Sequence, residues 1–285
     1  MTNFTSEYFT NPDGLKQHYR DYNNAPAGAP VVLCMPGLTR NSKDFAGIAE
    51  HLSPKYRVIC VEQRGRGLSD WDHDPSRYRP DVYVTDMKAL IEHLGVDQVV
   101  ALGTSLGGLM TIMMSALYPG IFKAAIINDI GPEVDPKGIE RIMSYVGKGT
   151  PPQSWEEVIA ATKRANDGVY PDFTDEEWLA FAKKLYTEVD GIPVVQYDPA
   201  IRNNFEGQSD QSAPDLWPVF EATKSFPMVV VRGEVSDILS HETLMKMAEV
   251  HPNLVPVTVP KVGHVPFLTE PESTSAIDRL LASIS

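Results

Sequence analysis

Cysteine is nearly absent from this chain: there are two in 285 residues, Cys34 and Cys60. Each lies inside an apolar run, at residues 31–35 and 57–61. That pattern suits buried, reduced thiols on strands and excludes a disulfide framework. Positive charge is also scarce. Lys and Arg number 25 against 38 Asp and Glu, for a formal net charge of −13. This argues against a nucleic-acid backbone or an anionic membrane surface as partner. The first ten residues lack the basic and apolar segments of a secretory leader, so a cytoplasmic location is expected. None of the seven histidines has H-E-x-x-H or similar ligand spacing, so neither a metal nor another cofactor is expected.

One apolar run is long enough to raise the question of a membrane. Residues 98–122 contain no charged side chain, which matches the length of a span. Gly103, Gly107 and Gly108 interrupt the run, however, and it divides into a β-rich half and a helix-like half. A central strand followed by a buried helix is the expectation, with no membrane partner. The remaining composition is that of an ordinary globular chain, 42% hydrophobic and 22% charged. Its length is sufficient to bury a core without staples.

The pattern along the chain predicts an α/β fold. Residues 4–10 and 15–22 flank the turn Asn11-Pro12-Asp13-Gly14, which reads as a hairpin. Continuous apolar runs at 31–35, 58–61, 99–103 and 124–128 then alternate with helical spacing at 42–52, 82–94 and 106–118. Ser42 is the expected N-cap of the first of these helices. Strands covered on both faces by helices imply a mostly parallel sheet with right-handed crossovers. The rhythm breaks after Gly131-Pro132. Residues 133–223 show helical patches, clearest at 155–165 and 176–186 with Thr174 capping the second, but no convincing buried strand. Strand–helix alternation resumes at 228–231 and continues to a closing helix at 273–284. The expected domains are a core of 1–132 and 224–285 with a helical cap at 133–223.

Gly103-Thr104-Ser105-Leu106-Gly107 matches G-x-S-x-G, with a β-branched run before it and a helical run after. A serine on a sharp strand-to-helix turn needs strained backbone angles and small neighbours two positions away. Its hydroxyl then stands clear of the sheet, beside a helix N-terminus that favours developing negative charge. A phosphate-binding loop would need Lys and Ser/Thr after the last glycine, and Leu109 and Met110 follow instead.

These residues in this context resemble the α/β-hydrolase-fold family of serine hydrolases with a helical cap. The resemblance runs along nearly the whole chain and is weakest over 133–223. It implies that a nucleophile follows the fifth strand, that an acid usually follows the seventh, and that a histidine follows the last. The positions that match are Ser105, then Asp237 in Arg232-Gly233-Glu234-Val235-Ser236-Asp237, then His264 in Val262-Gly263-His264-Val265-Pro266. Some relatives supply the acid after the sixth strand, where Asp129 stands. Asp237 is therefore the expected acid, with Asp129 and then Glu234 as alternatives. The resemblance also implies an oxyanion hole from the backbone N–H groups of Leu38 and Leu106. Relatives usually carry His-Gly in the first of these loops, whereas this chain has Pro36-Gly37 and so lacks a bracing side chain. The turn Glu62-Gln63-Arg64-Gly65-Arg66-Gly67 resembles a structural family turn that usually begins with Asp.

A serine nucleophile excludes the branches of this fold that use aspartate. The expected activity is hydrolysis of a small or medium hydrophobic carboxylic ester, thioester or lactone through an acyl-enzyme, with water as co-substrate. The alternatives are C–C hydrolysis of β-diketone or ring-fission-type compounds, and a non-catalytic small-molecule binder on the same scaffold. Arg40 is available to hold an anionic substrate, to pair with Asp129, or to form a salt bridge at the surface. Trp155, Trp178, Trp217, Tyr145, Tyr170, Tyr186, Phe181 and Met143 give the cap its bulk, and most are expected in its core.

Overall fold

The computed structural model describes residues 3–204 and 215–284. In chain order the core elements are β1 (Thr5–Thr10), β2 (Lys16–Tyr22), β3 (Val31–Met35), α1 (Ala46–Leu52), β4 (Arg57–Val61), α2 (Pro80–His93), β5 (Val99–Thr104), α3 (Leu106–Leu117) and β6 (Phe122–Asn128). There follow α4 (Pro136–Tyr145), α5 (Trp155–Ala165), α6 (Asp175–Leu185), β7 (Tyr186–Val189), β8 (Ile192–Val195) and the short α7 (Trp217–Phe220). The chain then returns through β9 (Met228–Gly233), α8 (His241–Val250), β10 (Leu254–Val259) and α9 (Pro271–Ala282).

Eight strands form one sheet in the order β1-β2-β4-β3-β5-β6-β9-β10. The β1–β2 hairpin joins it antiparallel, through β2 on β4. All remaining pairs are parallel. Because side chains alternate across a strand, the apolar runs supply two cores at once. Leu33 and Met35 face one side with Met87, Leu90 and Met110 of α2 and α3. Val32 and Cys34 face the other, with Ile48 of α1 and Ile277 of α9. Cys34 and Cys60 are register partners on β3 and β4, buried and free. Burial raises the Cys34 thiol well above its ordinary pKa.

The uncharged stretch at 98–122 resolves into β5 and α3, and among the described residues no helix is long and apolar enough to cross a membrane. Two local expectations change. The predicted helix at 42–52 begins as a 3₁₀ turn capped by Asn41, whose side chain accepts from Lys43 N–H. Ser42 is instead buried and donates to Glu62 at 2.6 Å. In the segment after β6, β7 and β8 pair as an antiparallel hairpin that the apolar pattern did not announce. Thr174 caps α6 as expected, in a reciprocal box with Glu177. A small apolar cluster of Val169, Tyr170 and Trp178 packs with Phe173, Phe181 and Phe267, the last of which follows β10.

Candidate active site

The carboxyl ends of the parallel strands meet at Ser105. Its backbone lies at φ 51°, ψ −112°, a conformation that costs on the order of 1–3 kcal/mol and persists only where packing enforces it. The glycines around it show how packing does so. A Cβ on Gly107 would lie 2.0 Å from the Met35 carbonyl oxygen, and one on Gly103 would lie 2.3 Å from the Gly107 carbonyl oxygen. Strand and helix therefore approach closer than any side chain would allow.

His264 Nε2 is 2.9 Å from Ser105 Oγ, and His264 Nδ1 is 2.8 Å from Asp129 Oδ2. An ionised carboxylate can only accept, so Nδ1 carries the proton and Nε2 accepts from the serine hydroxyl. Asp129 is fully buried and has φ 58°. Gly233 N–H donates to its Oδ1 at 3.0 Å, and the Ser236 hydroxyl donates to its Oδ2 at 2.6 Å. In the sequence Gly233 and Ser236 are only members of the loop that carries Asp237. In the structure they orient a carboxylate on the adjacent strand.

Asp237, the acid expected from the sequence, is not the hydrogen-bond partner of His264. Its carboxylate turns to Arg141 of α4, which donates through Nε at 2.5 Å and Nη2 at 2.8 Å. Burial alone would raise the pKa of Asp237, but the Arg141 hydrogen bonds and charge outweigh burial and lower it. The imidazole has a single Nδ1, and Asp129 occupies it. Glu234 is also elsewhere, accepting from Lys261 N–H at 2.8 Å.

Two other parts of the chain hold the His264 loop. Val169 carbonyl accepts from Gly263 N–H at 2.8 Å, and the Tyr170 hydroxyl donates to the Val265 carbonyl at 2.8 Å. Asn128 Nδ2 donates to the Pro266 carbonyl at 2.8 Å. None of these partners has a motif signature, because each contact joins distant segments.

Leu38 lines the cavity beside Ser105, and Leu106 directly follows the serine. Leu106 is the first residue of α3, so its N–H is among those an α-helix leaves unpaired. The Leu38 loop lacks the usual histidine, but another side chain braces it. Arg66, fully buried, donates from Nε to the Leu38 carbonyl at 2.8 Å and from Nη1 to Tyr83 Oη at 2.9 Å. Glu62 fixes the turn that carries Arg66 by accepting from Leu68 N–H at 2.6 Å.

The cavity in front of Ser105 has a volume of about 220 Å³, below the roughly 300–1,000 Å³ usual for drug-sized ligands. Tyr145, Tyr170, Phe181 and Tyr186 line it, whereas Trp155, Trp178 and Trp217 do not. Arg40 lines it too, but it does not pair with Asp129. Its partner is Asp44, and the pair sits on the cavity wall, partly buried. Among the described residues, no cluster of three or more His, Cys, Asp or Glu could hold a metal ion.

A hydroxyl, an imidazole and a carboxylate in one hydrogen-bonded line, on a mostly parallel sheet with a kinked strand-to-helix turn, define a class. The chain belongs to the alpha/beta hydrolase fold family, whose model matches residues 30–271, and is a hydrolase of that family. Among curated proteins it is similar to a 3-hydroxybutyrate-oligomer hydrolase of Cupriavidus necator, 33% identical over 269 residues, covering 91% of each chain. It is also similar to a 2-(acetamidomethylene)succinate hydrolase of Mesorhizobium japonicum, 29% identical over 247 residues, covering 86% of this chain and 85% of that protein. Among solved structures, an alpha/beta hydrolase from Novosphingobium aromaticivorans superposes with a TM-score of 0.92 at 43% identity, covering 99% of each chain.

Proposed function

We propose that the protein hydrolyses small carboxylic esters through a covalent acyl-enzyme on Ser105, with His264 as acid and base and Asp129 as the orienting carboxylate. The observation that carries this is the unbroken line from Ser105 Oγ through His264 to Asp129 at 2.9 and 2.8 Å, with Ser105 and His264 on the wall of a cavity. Ser105 Oγ attacks the ester carbonyl while His264 Nε2 takes its proton. The carbonyl oxygen becomes an oxyanion facing the N–H groups of Leu38 and Leu106. Collapse breaks the ester C–O bond, and His264 returns the proton to the leaving alcohol. Water then repeats the cycle on the acyl-enzyme, releasing the acid and restoring the serine. Residues 133–223 act as the cap in this reading. They supply most of the aromatic wall and the Tyr170 and Val169 braces on the His264 loop.

Esters of short hydroxy acids come first among substrates to test, a choice supported by the similarity to a 3-hydroxybutyrate-oligomer hydrolase. A second reading, cleavage of a non-ester bond in a carboxylate-bearing compound, draws support from Arg40 on the cavity wall and from the succinate-type hydrolase relative. Turnover of p-nitrophenyl butyrate by the wild type and by Ser105→Ala tests the proposal. Release that depends on Ser105, with Ser105 labelled by a fluorophosphonate, is the expected outcome. Release equal in both proteins refutes the nucleophile.

A further inference from the structure

The cavity has a charged end, and that end lies beside the nucleophile. Arg40 follows the oxyanion loop, and its stem flanks the same glycine as Ser105. A Cβ placed on Gly37 would lie 3.5 Å from Arg40 Cγ and 3.7 Å from Ser105 Cβ. The guanidinium lies over the Phe181 ring, 4.4 Å from its centroid. Asp44 takes one edge of the fork, with Nε and Nη2 each 2.6 Å from a carboxylate oxygen. A guanidinium carries five N–H donors in a rigid plane. After Asp44 is served, the Nη1–Nη2 edge remains, with the spacing that matches a second carboxylate. Among the described residues no other acceptor of this protein takes that edge.

The balance of charge on the wall points the same way. The chain as a whole carries −13, yet the cavity lining holds two basic side chains, Arg40 and Lys148, and Asp44 as its one carboxylate. Asp44 is already engaged. A cleft with this local excess concentrates anions in spite of the surrounding charge.

We propose that Arg40 is a carboxylate-binding residue, and that the substrate is a short ester bearing a free carboxylate a few bonds from the scissile carbonyl. This rests on the esterase reading above. Two matched pairs test it: p-nitrophenyl hemisuccinate against p-nitrophenyl butyrate, and the linear dimer of 3-hydroxybutyrate against its methyl ester. The quantity to measure is the ratio of kcat/KM for the anionic member to that for the neutral one. In at least one pair, Arg40→Met is expected to lower that ratio about tenfold, the effect of losing one charge-assisted contact. Asp44→Asn frees the whole fork and is expected to raise it. Opposite signs support the anchor. Changes of the same sign, or an unchanged ratio in both variants, overturn it, because a merely structural ion pair would respond alike to loss of either partner. Calorimetric titration of monomethyl succinate into Ser105→Ala protein, with and without Arg40→Met, reads the same site without turnover. Binding lost with Arg40 while no ester is cleaved would refute the esterase reading and keep the anchor. Esters cleaved with binding indifferent to Arg40 would do the reverse.

Discussion

At Gly107 there is no room for even one methyl group. The added carbon would meet the backbone of β3 at 2.0 Å, and backbone cannot yield as the end of a flexible side chain can. Gly107→Ala is expected to cost about 3 kcal/mol or more of stability, read as a lower denaturant midpoint at unchanged slope. A stability within about 0.5 kcal/mol of wild type would mean the elbow tolerates what its geometry forbids. Glycine spacing around a serine is visible in a linear sequence because the constraint is local, so Ser105 is legible there. The acid could not be chosen that way. Asp129 and Asp237 each follow a buried apolar run, and only their three-dimensional partners separate them. Gly233 and Ser236 turn toward Asp129, while Arg141, distant in sequence, takes Asp237. Arg66 escaped for the same reason, since its bond to the Leu38 carbonyl joins two loops 28 residues apart.

Elements carry the next level of constraint. The Arg141–Asp237 pair ties α4 to the loop after β9, and the lowered pKa of Asp237 gives the tie a pH signature. A carboxyl whose pKa is lower folded than unfolded stabilises the fold above the ordinary carboxylate range. That contribution is lost as pH falls through the lowered folded value. Wild type is therefore expected to exceed Asp237→Asn in stability by about 1 kcal/mol at neutral pH, with the gap closing below about pH 4. Melting temperatures of the two proteins across that range check it, and a gap that widens in acid would contradict the pairing. Tyr170 tests the other tie. Tyr170→Phe removes the hydroxyl that holds the Val265 backbone and should lower kcat about tenfold, the rate equivalent of one buried hydrogen bond. KM should move little, because the change acts through the position of His264. An equal rise in KM at constant kcat would assign Tyr170 to substrate binding instead. Elements buried on both faces were legible from their apolar runs. The β7–β8 hairpin was not, because its strands are mostly exposed and its turn relies on Asp190 and Gly191 at positive φ rather than on a core.

The whole molecule brings Ser105, Asp129 and His264 together from the ends of β5, β6 and β10, which lie at separate positions in one sheet. Chain order and alternation made that architecture readable. The cavity was not readable, because its wall draws on the loop after β3, α4, α5, α6 and the loop after β10 at once. This convergence, with Asp129 as its carboxylate, is what we propose performs the hydrolysis. The most direct measurement is kcat/KM on p-nitrophenyl butyrate for Asp129→Asn and Asp237→Asn side by side. With Asp129→Asn the imidazole is left in the wrong tautomer, and a fall of about 10³–10⁴-fold is expected, while Asp237→Asn stays within about tenfold of wild type. An Asp129→Asn protein as active as wild type, beside an inactive Asp237→Asn protein, would contradict the account.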